Sequence, residues 1–426
     1  MNKYDSMRII DLMHKEFNME IINDSSQADL ILLNTCSIRE KAQQKVFSDL
    51  GRFKLLKKKN PNLIIGVGGC VASQEGKNII ARAPYVDLVF GPQTLHRLPE
   101  MYKKALNGET PTIDIDFPKL EKFDCLPKPE VNGVTAFVTI IEGCNKYCSY
   151  CIVPYTRGKE ISRPFADVMD EVNYLATKGV KEITFLGQNV NDYKYDLAKL
   201  ICETAKIDTI KRIRFITSYP SSLADNLINA YASEKKLANH LHLPVQSGSN
   251  KILALMRRRY TIEEYKERIY KLREVRPGIS ITSDFIVGFP GETEHDFKAT
   301  MDLVKEINFD TSFSFIYSPR PGTSASKLPD NISLIEKKHR LAVLQNQLNL
   351  QARQYNKTTI GTIQKVLVIG ISKKTPKQLC GRTENNCVVN FSADKKLINQ
   401  IVEVKIIKAL ANSLRGEYVT NQQFAF

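Results

Sequence analysis

Apolar and polar positions divide the chain into three regimes. In the first, short apolar blocks such as Ala28-Asp29-Leu30-Ile31-Leu32-Leu33-Asn34-Thr35-Cys36 and Leu63-Ile64-Ile65-Gly66-Val67-Gly68-Gly69-Cys70 alternate with longer polar stretches. Blocks of this length bounded by turn residues predict buried strands, with a third strand over 85–90. Between the first two, Val46, Leu50 and Phe53 recur at helical spacing, and Ser37-x-x-Glu40 is a capping box for that helix. Strands alternating with helices predict an open parallel sheet covered by helices on its faces. A stretch rich in proline and charge over 126–132 predicts a linker.

In the second regime the alternation resumes on a larger scale. A strand over 134–142 is followed by strands ending near Val190, Tyr219, Gln246, Pro290 and Ser318. Helical patterns lie between them, among them 165–178, 262–276 and 294–307. Six β/α units predict a partial barrel, with active groups at the carboxyl ends of its strands. A long charged helix over 334–354 leads into the third regime. There 363–369, 387–391 and 401–407 read as strands, and Val402, Val404 and Ile406 alternate with Glu403 and Lys405. Short strands separated by turn residues predict a small β-barrel.

Composition narrows the class. The 426 residues suffice for two or three domains, and 42% hydrophobic content is ordinary for a soluble protein. No run of about eighteen apolar residues predicts a membrane span, and residues 1–11 lack an apolar signal core. Nine cysteines without such a signal imply a reducing, cytoplasmic setting in which thiols serve metals or catalysis. A net charge of +15 and a pI near 9.2 call for a polyanionic partner. Basic runs lie at 54–59, at Arg257-Arg258-Arg259 and at 373–377. Any one of these reads as a solvated face; together with the global excess they favour RNA or DNA binding.

The sharpest chemistry is Cys144-Asn145-Lys146-Tyr147-Cys148-Ser149-Tyr150-Cys151, three thiols on one loop, with Gly143 supplying the turn before it. Thiolates in a reduced protein are soft ligands. A structural zinc wants four closed ligands, whereas a cubane cluster held by three cysteines keeps one iron open. The competing readings are a zinc site with a distant fourth ligand, or three unrelated thiols. Cys36 and Cys70 each end a parallel strand, so both are expected to face one crevice. They make either a second metal site or two buried small hydrophobes.

The C-x3-C-x2-C spacing with an aromatic before its last cysteine resembles the signature of the radical S-adenosylmethionine (SAM) enzymes. Asn34-Thr35-Cys36-Ser37-Ile38-Arg39-Glu40-Lys41-Ala42 and Gly66-Val67-Gly68-Gly69-Cys70-Val71-Ala72 resemble the amino-terminal domain of the methylthiotransferases, most closely the MiaB type. Leu186-Gly187-Gln188-Asn189, Thr217-Ser218-Tyr219-Pro220, His242-Leu243-Pro244-Val245-Gln246-Ser247-Gly248, Ser283-Asp284-Phe285-Ile286-Val287-Gly288-Phe289-Pro290-Gly291-Glu292-Thr293 and Tyr317-Ser318-Pro319-Arg320-Pro321-Gly322-Thr323 resemble that family's core in the same order. Gly381-Arg382-Thr383-Glu384-Asn385-Asn386 and Asn412-Ser413-Leu414-Arg415-Gly416 resemble its TRAM domain.

The resemblance implies an α/β protein of three domains. These are an amino-terminal methylthiotransferase domain at 1–125, a partial (β/α)6 TIM-like radical SAM barrel at 130–356 and a tRNA-binding TRAM β-barrel at 357–426. It implies a methylthio group added to C2 of N6-isopentenyladenosine at position 37 of tRNA, next to the anticodon. A sister activity on threonylcarbamoyl-adenosine of tRNA or on a ribosomal-protein aspartate is the nearest alternative. It implies two [4Fe-4S] clusters, one on Cys144, Cys148 and Cys151 that reductively cleaves SAM, and an auxiliary one involving Cys36 and Cys70. Tyr150, Gly187, Gln188, Ser218, Gln246 and Asp284 are the implied SAM-pocket residues. Partners follow: tRNA, SAM and an electron donor such as a flavodoxin or ferredoxin, with the chain a monomer.

The family's first auxiliary cysteine follows a first strand, and Met1-Asn2-Lys3-Tyr4-Asp5-Ser6 resembles what comes directly after it. A start assigned too late or a truncated chain accounts for this. The alternatives are an incomplete site in a form that cleaves SAM without methylthiolation, or Cys125 as a substitute ligand. Without that central strand the sheet is expected to be less stable. Arg157 and Arg163 read as anchors for a SAM carboxylate or a tRNA phosphate, or as caps of the loop. His240 and His242 read as polar groups inside the barrel, and Cys380 with Cys387 as incidental.

Overall fold

The computed structural model describes residues 1–37, 40–118 and 121–419. The chain packs as two compact units. One comprises Met1–Glu130, Ile141–Arg163 and Ser318–Lys327; the other comprises Val131–Ile140, Pro164–Tyr317 and Leu328–Phe426.

The first unit is built on four parallel strands in the order Leu30–Thr35, Ile64–Gly69, Leu88–Phe90, Thr112–Asp114. The sheet is continuous across these strands: Leu30–Thr35 pairs directly with Ile64–Gly69, Leu30 opposite Ile64 and Thr35 opposite Gly69. Alternation along the second strand sorts side chains to two cores. Ile65 and Val67 pack with Val46 and Leu50 of helix Glu40–Lys59. Ile64 packs with Ile9 and Met13 of helix Asn2–Phe17, and with Leu98 and Met101. Covering both faces with helices is what a parallel sheet requires. Gly66 and Gly68 permit the close packing, since a Cβ on either would fall within about 2.5 Å of Leu32 or Phe90. The capping box at Ser37 and Glu40 turns on a side chain outside the described residues.

The second unit holds six parallel strands in two sheets of three. Thr135–Thr139, Glu182–Leu186 and Arg212–Phe215 form one; His240–His242, Ser280–Val287 and Thr311–Ile316 form the other. A parallel bridge between Ile213 and Leu237 links the end of the first sheet to the approach of the second. The helices Phe165–Thr177, Ile262–Val275 and Glu294–Ile307 fall where the periodicity places them. The last two begin with complete capping boxes, Thr261 with Glu264 and Thr293 with Asp296.

Four of these strands end three or four residues earlier than the apolar runs suggest, at Leu186, Phe215, His242 and Val287, and a fifth ends two residues earlier, at Ile316. Beyond those ends the chain turns. Thr217 and Gln246 take left-handed φ values of 70° and 75°, and 3-10 turns occupy Val190–Asp192 and Pro220–Ser222.

The 25-residue helix Leu334–Thr358 leads to a closed five-stranded barrel. Its order is Ile363–Ile371, Leu379–Arg382, Val388–Ser392, Leu414–Tyr418, Ile401–Ala409. Val366, Val368, Val389, Phe391, Val404 and Ile406 fill it. Two of its strands were not evident from alternation, because Gly381 and Gly416 occupy inward positions. A Cβ there would lie 2.4 Å from Val366 and 2.3 Å from Val404. Arg212 and Arg214 bind this barrel to the neighbouring strands. Arg212 donates to the carbonyls of Lys365, Arg382 and Thr383, Arg214 to those of Thr383 and Glu384, and both pair with Glu182.

Candidate functional site

The cysteine loop lies in the first unit and is closed at its base by a small antiparallel pair, Ile141 opposite Ser162 and Glu142 opposite Ile161. Gly143 opens it at φ 77°, where a Cβ would sit 2.0 Å from the carbonyl oxygen of Lys159. Only glycine fits so close a crossing. Tyr147 takes φ 48°, and the Cys151 amide donates to the Cys148 carbonyl at 2.9 Å. None of the nine cysteines is in a disulfide. Cys144 and Cys148 are buried and Cys151 half-buried, and the Lys146 amide donates to the Cys144 sulfur at 3.4 Å. Tyr150 is half-buried between the last two cysteines.

Cys36 and Cys70 directly follow the register pair Thr35 and Gly69, so they leave adjacent strand ends side by side. Cys70 is buried and starts helix Cys70–Glu75; Cys36 is half-buried. Cys125 is exposed at the end of helix Glu121–Cys125. Among the described residues no group of three or more Cys, His, Asp or Glu side chains stands close enough together to hold a metal ion. The fit to an iron–sulfur cluster therefore rests on the donor set: reduced thiols, two of three buried, on one loop with an amide aimed at sulfur.

A buried charge network backs the loop. Arg157 donates to Asp5 at 2.5 Å and lies 3.8 Å from Glu142, while Lys122 bonds Glu142 at 2.7 Å and Asp5 at 3.5 Å. Burial alone would push the Arg157 guanidinium down, but Asp5, then Cys70 and Glu142, push it above its ordinary value. Burial raises Asp5 as well, yet Arg157 and then Lys122 hold it below the usual carboxylate range. The backbone is tied too, Gln93 donating to the Arg157 carbonyl at 2.9 Å. Arg163 is buried with its guanidinium 4.7 Å from the centre of the Phe123 ring. Both arginines are thus built into the base of the loop rather than offered at the surface.

The remaining candidates lie in the second unit. Gly187 is buried just past strand Glu182–Leu186, followed by half-buried Gln188. Ser218 is buried past Arg212–Phe215. The Gln188 Oε1 and Ser218 Oγ atoms are both buried and lack a hydrogen-bond partner. Buried polar atoms without partners are costly and uncommon, so two at neighbouring strand ends fit a polar cofactor. Gln246 is held at φ 75°, its amide donating to the Asp284 carbonyl and its carbonyl accepting from Ile286. Asp284 sits inside strand Ser280–Val287 rather than beyond its end, with Oδ2 3.5 Å from His242 Nε2. His240 and His242 share Thr282 Oγ1 at 3.2 and 3.0 Å, so they face one way. Burial, then Arg214 and His242, push His240 down to about 3, leaving it neutral and unsuited to proton transfer near pH 7.

The basic runs divide on inspection. Lys57 pairs with Asp87, and Arg258 is buried between Tyr219 and Tyr260 while donating to the Pro244 carbonyl. Lys373, Lys374 and Lys377 are exposed on a turn of the small barrel. Cys380 and Cys387 are half-buried, and burial pushes both thiols up. The alternation read from the sequence had pointed to neither Asp5 nor the arginine pair Arg212 and Arg214; each becomes visible only through its spatial partners.

Comparison with known proteins follows the same division. Residues 138–304 match the Radical SAM superfamily, 357–419 the TRAM domain and 1–91 the Uncharacterized protein family UPF0004. A tRNA-2-methylthio-N(6)-dimethylallyladenosine synthase of Coxiella burnetii (strain RSA 331 / Henzerling II) is 58% identical over 425 residues, covering 98% of this chain and 97% of the relative. One of Francisella tularensis subsp. holarctica (strain FTNF002-00 / FTA) is 59% identical over 427 residues, with the same coverage. Among solved structures, the radical SAM methyltransferase TsrM from Kitasatospora setae matches with a TM-score of 0.55 at 15% identity, over 75% of this chain and 66% of that one. The cobalamin-dependent radical SAM enzyme OxsB matches with a TM-score of 0.52 at 14% identity, over 82% and 53%. At those identities the likeness concerns fold alone.

Proposed function

The chain belongs to the tRNA-2-methylthio-N(6)-dimethylallyladenosine synthase family of radical SAM proteins, and from that premise we propose that it adds a methylthio group to C2 of N6-isopentenyladenosine at position 37 of tRNA. The observation that carries this reading is the loop of three cysteines, none in a disulfide, within the radical SAM region. Cys144, Cys148 and Cys151 would hold a [4Fe-4S] cluster. When bound, that cluster supplies the electron that cleaves SAM and so the radical that activates the base.

The protein's own part is placement and exclusion of water. Gly143 shapes the loop, and the Asp5–Arg157–Glu142–Lys122 network fixes its base. Gln188 and Ser218 offer unspent polar atoms to SAM, with Gly187, Gln246 and Asp284 as further candidates in the same unit. Cys36 and Cys70, leaving adjacent strand ends, would contribute two ligands to an auxiliary cluster that carries the sulfur. The assignment of 1–125, 130–356 and 357–426 to sulfur-carrying, radical-generating and tRNA-binding domains belongs to the same reading. So do a flavodoxin or ferredoxin as donor, a cytoplasmic setting and a monomeric state.

Nucleoside analysis by mass spectrometry tests this. A strain lacking the endogenous activity, complemented with this chain, is expected to regain the 2-methylthio derivative of N6-isopentenyladenosine, and a Cys148→Ser version is not. Return of methylthiolated threonylcarbamoyl-adenosine or of a ribosomal-protein product instead would overturn the substrate assignment.

A further inference from the structure

We propose that Tyr147 and Tyr155 form a stacking platform for unpaired bases of the tRNA loop on which the enzyme acts; the inference rests on the tRNA reading above. The two rings stand on the cysteine loop itself. Tyr147 immediately precedes Cys148, and Tyr155 lies on the helical turn Val153–Thr156. Their centroids are 6.2 Å apart with ring planes at 82°, and they are 40% and 46% exposed. Single exposed apolar side chains are ordinary on protein surfaces. Two interlocked aromatic rings beside a reactive loop are a built feature.

The backbone supports that view. Tyr147 is held in the left-handed region at φ 48°, which is unfavourable for a bulky residue and persists only where the surroundings enforce it. Tyr155 sits between buried Pro154 and buried Thr156, and its amide donates to the Ile152 carbonyl at 3.0 Å. Arg157, two residues on, is anchored by Asp5 and by Gln93. The rings are therefore displayed from a rigid base. Phe117, 48% exposed, lies close enough to Gly158 on the same loop that a Cβ there would meet its ring at 2.9 Å. Lys159 and Asn145 are exposed on the same loop.

Aromatic faces set among cationic and amide side chains are how proteins hold single-stranded nucleic acid, because every base has a face to stack and every nucleotide a phosphate. An enzyme acting on a base must also draw that base out of its own stack. The base must reach the chemistry of Cys144, Cys148 and Cys151, and these two rings are the exposed aromatic surface of that loop. In a chain of net charge +15 the complementary occupant is RNA. An acidic electron-carrying protein is the other occupant such a face would suit.

The test uses the reconstituted full chain and an anticodon stem–loop RNA carrying a fluorescent adenine analogue at the modified position. Tyr147→Ala and Tyr155→Ala are each expected to weaken binding by roughly 5- to 100-fold, while Tyr147→Phe and Tyr155→Phe stay within about two-fold of wild type. Because stacking is not a counterion effect, the ratio between Ala variant and wild type is expected to hold from low to high salt. Iron content and melting temperature, measured in parallel, separate lost stacking from a collapsed loop. Unchanged RNA affinity in both Ala variants would overturn the platform. So would unchanged affinity together with slower reduction by an acidic flavoprotein, which would give the face to the electron donor. Failure of the wild type itself to bind the RNA would sink the tRNA reading as well.

Discussion

Arg214→Ala probes the seam between the six-stranded region and the carboxyl-terminal barrel. Arg214 is buried and makes three charged contacts: to the Glu384 carbonyl at 2.8 Å, the Thr383 carbonyl at 2.6 Å and Glu182 at 3.1 Å. Hydrogen bonds from a charged donor contribute about 1.5–3 kcal/mol each. Truncating one member of a buried pair costs about 3–5 kcal/mol, since the remaining charge is stranded. Here the stranding is partial, because Arg212 still reaches Glu182 at 3.4 Å and the Thr383 carbonyl at 3.3 Å. The low end of the range, about 3 kcal/mol, is therefore expected.

In a region of this size that corresponds to a fall of roughly 6–12 °C in the first calorimetric transition. Arg257→Ala, which removes an exposed arginine, serves as control and is expected to move it by no more than about 1–2 °C. Arg212→Ala combined with Arg214→Ala is expected to be non-additive, because both residues share Glu182 and the Thr383 carbonyl. A melting point for Arg214→Ala within about 1 °C of wild type would refute the claim that this cluster holds the seam.

Asp5→Asn leaves Arg157 and Lys122 with Glu142 as their remaining carboxylate and is expected to cost about 3 kcal/mol in chemical denaturation. Since the Asp5 carboxyl is held below its ordinary value, the wild type keeps this contribution above pH about 4 and loses it as pH falls through the folded value, which denaturation at low pH checks. His240 is pushed down to about 3, so the unfolded chain takes up its proton first. Stability is fully present above pH about 6.5 and falls by about 1.4 kcal/mol per pH unit on acidification towards 3. Comparing wild type with His240→Gln at pH 5 and pH 7 isolates this slope from that of Asp310, which burial pushes up to about 6 and which runs the opposite way. Gly143→Ala places a Cβ against the Lys159 carbonyl and is expected to abolish iron uptake on anaerobic reconstitution, measured as iron and sulfide per chain.

Much of the architecture was legible because its signals are local. Val46, Leu50 and Phe53 mark one helix face. The strand-end cysteines were legible for the same reason: Cys36 and Cys70 end apolar runs, and parallel pairing sets such ends side by side. Strand ends were read too far, since apolar character continues past Phe215 and His242 into turns whose left-handed residues, Thr217 and Gln246, are not glycine. The strands Leu379–Arg382 and Leu414–Tyr418 escaped because Gly381 and Gly416 stand where alternation would want a side chain. The sheet of the first unit was expected to want a central strand, and it is continuous among the described strands. Asp5 and Arg157 lie 152 residues apart and meet only in space, so no spacing rule links them. Arg212 and Arg214 resemble any alternating charged strand until the carbonyls they clamp are seen.

The most direct test of the central claim is reductive cleavage of SAM by the anaerobically reconstituted chain, followed as deoxyadenosine and methionine released under a low-potential reductant. The account predicts cleavage by the wild type and none by Cys144→Ser, Cys148→Ser or Cys151→Ser. An iron-loaded wild type that leaves SAM intact, or a Cys148→Ser variant that cleaves it as well as wild type, would contradict the assignment of these three thiols to a radical-generating site.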